Sequence, residues 1–414
     1  MASADTATSK VSTSIVSDIT AAGIFGILNT SFMVSYATLI FSKTCPDFFG
    51  AGVALFLVGA CVVSVILALL STYSGTIGSI QDVPAAISAI IALSLAQLLS
   101  ASPPETLFAN IFATIAVSTV LTGIAFLLLG YFKLGNLVRF IPYPVLGGFL
   151  AATGWLLFTG GIQVSTGVAL KVSGLITFLQ NVPLIPLFLA LFFAITLLTL
   201  TGKYPKNMFI TPATIILTIV SFILVALAFG VSIDQLKQDG WLLGPLPDGP
   251  LWKAATLPDI TRIDWVIVLQ HAGSIATIVT LSAISFLLNS SGIEVIAGRD
   301  LDMNKDLKAT GIANLATAII AAPASYVLVS QTALATRIGA VSRMVGVLQG
   351  MFLLLVFFVG GTFLAFFPNF VAGGLLLYLG LSMLKEWVVD SRRSISRVDY
   401  AIIISIVLVV EFFG

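Results

Sequence analysis

"QDVPAAISAI", residues 81–90, sets an aspartate two positions before a proline in a chain otherwise built of apolar runs. Pro84 has no backbone N–H and disfavours helix at Val83. A helix opening there takes the proline into its first turn and puts Asp82 near its N-cap. The preceding residues, "YSGTIGSI" (73–80), are rich in Gly and Ser, so the span reads as a broken membrane helix. A second break lies in "AAPASYVLVSQTALATRIGA" (321–340), where Pro323 interrupts the pattern and Ser330-Gln331-Thr332 precedes "ALATR", the opening of a short helix. Half-helices that begin in mid-membrane aim free N–H groups and a positive dipole end into a cavity. Pro/Gly kinks used only for packing are the other reading of these residues.

Composition fixes the setting. Of 414 residues, 58% are hydrophobic and 9% charged, whereas a soluble domain carries about a quarter charged residues. Apolar runs of spanning length recur from end to end. Thirteen spans are expected, at about 17–42, 51–71, 76–100, 105–131, 138–163, 180–201, 208–230, 263–297, 306–322, 327–342, 344–367, 370–387 and 399–414. With residues 1–16 as a cytoplasmic tail and alternating spans, fourteen of the 19 basic residues fall on the cytoplasmic side, as the positive-inside rule requires. The expected location is a multi-pass protein of the plasma (inner) membrane. Net charge of +1 speaks against a nucleic-acid partner. Cys45 and Cys61 give neither a disulfide framework nor a metal pattern. No nucleophile–base pair points to an enzyme, and no cofactor is implied. The partners are the bilayer and a small-molecule or ion substrate.

Four stretches resemble the SulP (sulfate permease) transporters. They are "DVPAAISAI" (82–90), "FKLGNLVRFIPYPVLGGFLAATG" (132–154), "DMNKDLKATGIANL" (302–315) and "SQTALATRIGAVSR" (330–343). The resemblance implies an all-α polytopic fold of seven plus seven spans in inverted repeat. It also implies a core of spans 1–4 (17–131) and 8–11 (263–367). The gate is spans 5–7 with an outer loop (132–262) and spans 12–13 (368–414). The family's fourteenth span and its STAS domain have no counterpart in residues 1–414, so a truncated chain is expected. The implied function is secondary transport of a small anion, such as sulfate or bicarbonate. Coupling to H⁺ or Na⁺ and an elevator-like motion are expected with it. A homodimer is compatible with the family.

The site implied by the resemblance lies between the span-3 and span-10 N-termini. Its candidate residues are Ser31, Phe32 and Tyr36 on span 1, Gln81, Asp82, Pro84 and Ala85 on span 3, Asn289 on span 8, and Ser330, Gln331 and Thr332 on span 10. Glu294 and Asp82 are the candidate ion-coupling carboxylates, with a cytoplasmic-interface pairing to Arg299 or Lys305 as the other reading of Glu294. Many relatives carry arginine where this chain has Gln331, and glutamine supplies only a dipole. Asp82 adds a negative charge. Two unit charges 4 Å apart interact by roughly 4 kcal/mol at an effective ε near 20. A bare divalent anion is therefore disfavoured unless a cation enters with it or Asp82 is protonated. A cationic or zwitterionic solute, such as an amino acid, is the alternative. The small-residue stretches "PVLGGFLAATG" (144–154) and "NFVAGGLLLYLG" (369–380) are places where helices can approach closely. The outer loop 231–262 is expected to cap the bundle, and the lone His271 to pack at an interface.

Overall fold

The two breaks meet. In the computed structural model, which describes residues 2–135, 143–170, 175–205, 207, 209–244, 250–337, 339–393 and 395–413, both extended segments pair as one antiparallel ribbon. The first half of the chain runs α1 (Ala2–Phe41), α2 (Phe49–Leu70), β1 (Gly78–Ile80), α3 (Asp82–Leu98), α4 (Pro104–Tyr131), α5 (Tyr143–Thr166), α6 (Leu175–Asn181), α7 (Leu184–Lys203) and α8 (Ile210–Ala228). The second runs α9 (Ile233–Gln238), α10 (Trp265–Gln270), α11 (Ala272–Ala297), α12 (Met303–Ala318), β2 (Ser325–Val327), α13 (Val329–Arg337), α14 (Met344–Val359), α15 (Gly361–Leu364), α16 (Asn369–Leu384) and α17 (Arg397–Phe413). Each of the thirteen expected spans has its helix. Motif residues 136–142, Lys171, Lys206 and loop residues 245–249 lie outside the described residues.

Among the described residues the ribbon is the only sheet in an otherwise helical bundle. Its register is Gly78↔Val327, Ser79↔Tyr326 and Ile80↔Ser325. Leu328 N–H continues it to Ile77 O at 2.8 Å. Extended backbone has no internal partners, and in a membrane interior it needs them from elsewhere. Each break supplies them to the other.

Packing follows the inverted repeat. α2 packs on α14 as α12 packs on α4, α1 on α14 as α11 on α4, and α1 on α3 as α11 on α13. A second group forms around α5 and α16, with α17 on α5 and α7 on α16. The helices carrying the two small-residue stretches, α5 and α16, cross closely. A Cβ on Gly161 would lie 2.6 Å from Gly373 O, and one on Gly380 would lie 2.6 Å from Gly154 O. α4 and α12 cross in the same way at Gly123 and Gly311. Outside the bundle, loop residues 240–243 are tied to the start of α16. Asn369 N–H reaches Trp241 O at 2.8 Å and Leu243 N–H reaches Phe367 O at 2.9 Å.

The α5–α16 crossing predicts that Gly161→Ala lowers the melting temperature of purified protein by several degrees, since backbone on the facing helix must move. Gly23→Ala, whose Cβ meets nothing within 4 Å, should leave it unchanged or raise it, because Ala is the better helix former by about 1 kcal/mol.

Candidate functional site

Ribbon geometry places the N-termini of α3 and α13 side by side, and a cavity of about 720 Å³ opens against them. One wall is Leu28, Asn29, Phe32 and Tyr36 of α1, Gln81 and Asp82 of α3, and Ser330, Gln331 and Leu334 of α13. The remaining lining is Thr199, Thr201 and Tyr204 at the end of α7, Asn207 before α8, Thr211 of α8, Tyr378 and Leu379 of α16, and Lys385. That size suits a small organic solute.

Each polar wall residue is held by named partners. Asn29 Nδ2 donates to Phe25 O and to Gln331 Oε1, both at 3.0 Å, which links α1 to α13. Gln81 Nε2 donates to Ser79 O at 3.0 Å and to Tyr326 O at 2.9 Å, bracing both strands. Phe32 and Tyr36 stack with ring centroids 6.2 Å apart. The N-cap of α3 is Gln81, and Asp82 is its first helical residue. Asp82 thus lies next to the N-cap, with Pro84 in the first turn. Its Oδ1 accepts Val83 N–H at 2.9 Å, and the residue lines the cavity. Lys385, the only basic residue lining the cavity among the described residues, pairs with Asp390 at 2.7 Å.

Phe32, Tyr36, Gln81, Asp82, Ser330 and Gln331 thus come together, and the other candidates do not line the cavity. Ser31 turns to an apolar groove between α1, α8 and α14, its hydroxyl donating to Ile27 O at 3.0 Å. Pro84 and Ala85 are buried inside the first turn of α3. Asn289 Oδ1 accepts Val329 N–H at 3.2 Å and so caps α13 from α11. Thr332 is fully buried, and its Oγ1 accepts Ile77 N–H at 3.1 Å. Glu294 sits in the last turn of α11 and accepts Leu301 N–H at 3.0 Å. That binds it to the helix-ending loop, with neither Arg299 nor Lys305 as its partner and away from the cavity. His271 bridges Ile267 O at 3.0 Å and Ser94 Oγ at 3.1 Å, between α11 and α3.

Two asparagines that hold the second break were not singled out from the sequence. Asn29 is a lone amide in an apolar run, which is itself a signal. Asn314 lies in "GIANL", and it closes the free edge of β2. Its Oδ1 accepts Ser325 N–H at 2.9 Å and its Nδ2 donates to Ser325 O at 2.8 Å.

The Sulfate permease family matches residues 15–406. The chain belongs to that family. A vacuolar basic amino acid transporter of Saccharomyces cerevisiae, VSB1, is 27% identical over 94% of this chain and 38% of its own length. The bicarbonate transporter BicA of Picosynechococcus sp. is 22% identical over 87% of this chain and 62% of its own. The solved transmembrane domain of a cyanobacterial BicA superposes with a TM-score of 0.74 at 19% identity, covering 96% of each chain. This chain therefore has the helical fold of that transmembrane domain, while it spans less than two thirds of the curated relatives' length.

Asn314→Leu leaves the Ser325 N–H and C=O buried without partners. The expected cost is about 2–5 kcal/mol, read as a large drop in melting temperature, whereas Asn110→Leu on α4 would not disturb the ribbon's protection in hydrogen exchange.

Proposed function

We propose that this chain is the membrane domain of a secondary transporter whose solute carries positive charge, a cationic or zwitterionic amino acid. One observation carries the reading: Asp82 lines the cavity, and the only basic residue lining it among the described residues, Lys385, is already paired with Asp390. The name of VSB1, whose likeness covers 94% of this chain, lends support. The second reading is a small anion such as sulfate or bicarbonate. It is favoured by the family and by the convergence of two helix N-termini, and it requires a protonated Asp82 or a cation that enters with the anion. In either case Asp82 is the group through which H⁺ or Na⁺ couples, since it is the only acidic residue lining the cavity among the described residues.

The motion is an elevator-like slide of a core against a gate. The division is 17–131 and 263–367 against 132–262 and 368–414. What supports it is where the repeat symmetry fails. α3 packs on α5 and α1 on α16, but among the described residues the symmetry-related α13–α16 and α11–α5 packing is missing from the main helix contacts. The cavity lies between α13 and α16 instead. Its lining reaches the ends of α7 and α16, at Thr201, Tyr204 and Lys385, ends that the positive-inside rule assigns to the cytoplasmic side. Exchanging the two sets of contacts closes this mouth and opens the other.

In proteoliposomes under a proton or sodium gradient, labelled arginine uptake is expected, falling at least tenfold in Asp82→Asn. Glu294→Gln keeps the oxygen that accepts Leu301 N–H, so its gradient dependence should match the parent. Uptake of sulfate or bicarbonate in place of arginine selects the second reading.

Cysteines placed at Leu334 and Leu379, on facing walls of the cavity, should cross-link during turnover and arrest uptake. A cross-link that leaves transport intact counts against the slide.

A further inference from the structure

Hydrogen-bond partners fix which end of each cavity amide is free. A carbonyl oxygen can only accept, so Asn29 must present Nδ2 to Phe25 O. The second hydrogen of that nitrogen goes to Gln331, which must answer with Oε1. The oxygen of Gln331 is then occupied, and its Nε2 is left with no partner among the described residues. Gln331 is 6% exposed and lines the cavity. Gln81 is the reverse. Its Nε2 gives both hydrogens to the carbonyls of Ser79 and Tyr326, so Oε1 is the atom without a partner, in a residue 5% exposed.

The two half-helices consequently offer opposite chemistry. On the α3 side stand two acceptors, Gln81 Oε1 and the Asp82 carboxylate, and Pro84 removes a first-turn donor. On the α13 side stand donors: Gln331 Nε2 and the first-turn N–H groups of Ser330 and Gln331 at the positive dipole end. Asn289 takes only the Val329 N–H.

We infer that the cavity binds an amino acid by both of its charges, its cationic group against Gln81 and Asp82 and its carboxylate on Gln331 and the first turn of α13. Asn29 is a positioning residue that holds the Gln331 amide donor-outward. The inference rests on the reading of Asp82 given above and adds the carboxylate. An amine of the same shape without that carboxylate leaves the α13 donors unpaired in a closed space and binds more weakly.

The test is competition against labelled L-arginine uptake by the full chain in proteoliposomes, with agmatine (arginine without its carboxylate) as the second ligand. Agmatine should need about a tenfold higher concentration or more, the cost of losing a charge-assisted contact. Gln331→Glu, which replaces the donor by an acceptor, should weaken arginine by a similar factor and leave agmatine unchanged or tighter. Asn29→Leu should shift the arginine-to-agmatine preference toward one, a ratio that a merely destabilised protein would not move. Equal competition by agmatine in the parent, or an unaltered preference in both variants, overturns the carboxylate contact alone. Absence of any arginine uptake overturns this inference and the Asp82 reading together.

Discussion

Everything at the centre of this protein depends on two extended segments sharing one set of hydrogen bonds. Residues 77–81 and 324–328 leave the helical ladder where water is scarce, and an unpaired amide there costs several kcal/mol. The antiparallel pairing removes most of that cost and sets the geometry at the same time. Once the strands are in register, α3 and α13 must start beside each other and leave in opposite directions. Asn314 completes one edge, and Thr332 and the Gln81 amide brace the ends. The cavity's polar wall is thus a by-product of satisfying the breaks.

The family frame and the residues within it pull on different properties. Two helix N-termini facing one cavity make a generally anion-friendly place. Here the α3 terminus already carries its own anion, Asp82, and the α13 terminus carries a neutral amide. Charge at the site is therefore set by side chains one or two positions from the break, while its shape is set by backbone.

Much of this was legible from the residues. Pro84, Pro323 and the Gly/Ser stretches marked both breaks, and the apolar runs gave each span, because these signals are local. The glycine stretches at 144–154 and 369–380 foretold the tightest helix crossing for the same reason. What was not legible depends on rotation about a helix axis. Ser31 and Phe32 are neighbours in sequence yet face different grooves, and Glu294 is spent on the loop after α11. The strand pairing was hidden because three-residue strands carry no periodicity. The whole α7–α16 wall was missed, since its Thr, Tyr and Asn side chains look like ordinary helix ends.

The ribbon also imposes an order of events at birth. Gln81 and its partner carbonyl on Tyr326 are 245 residues apart. At about 5–20 residues per second, the first strand is made roughly 10–50 s before the second emerges. During that interval residues 76–81 have no partner strand, and α3 has nothing to fix where it begins. The first half of the molecule must wait, inserted but unfinished, for the second. Any cellular factor that shelters half-made membrane proteins would find its substrate in that interval.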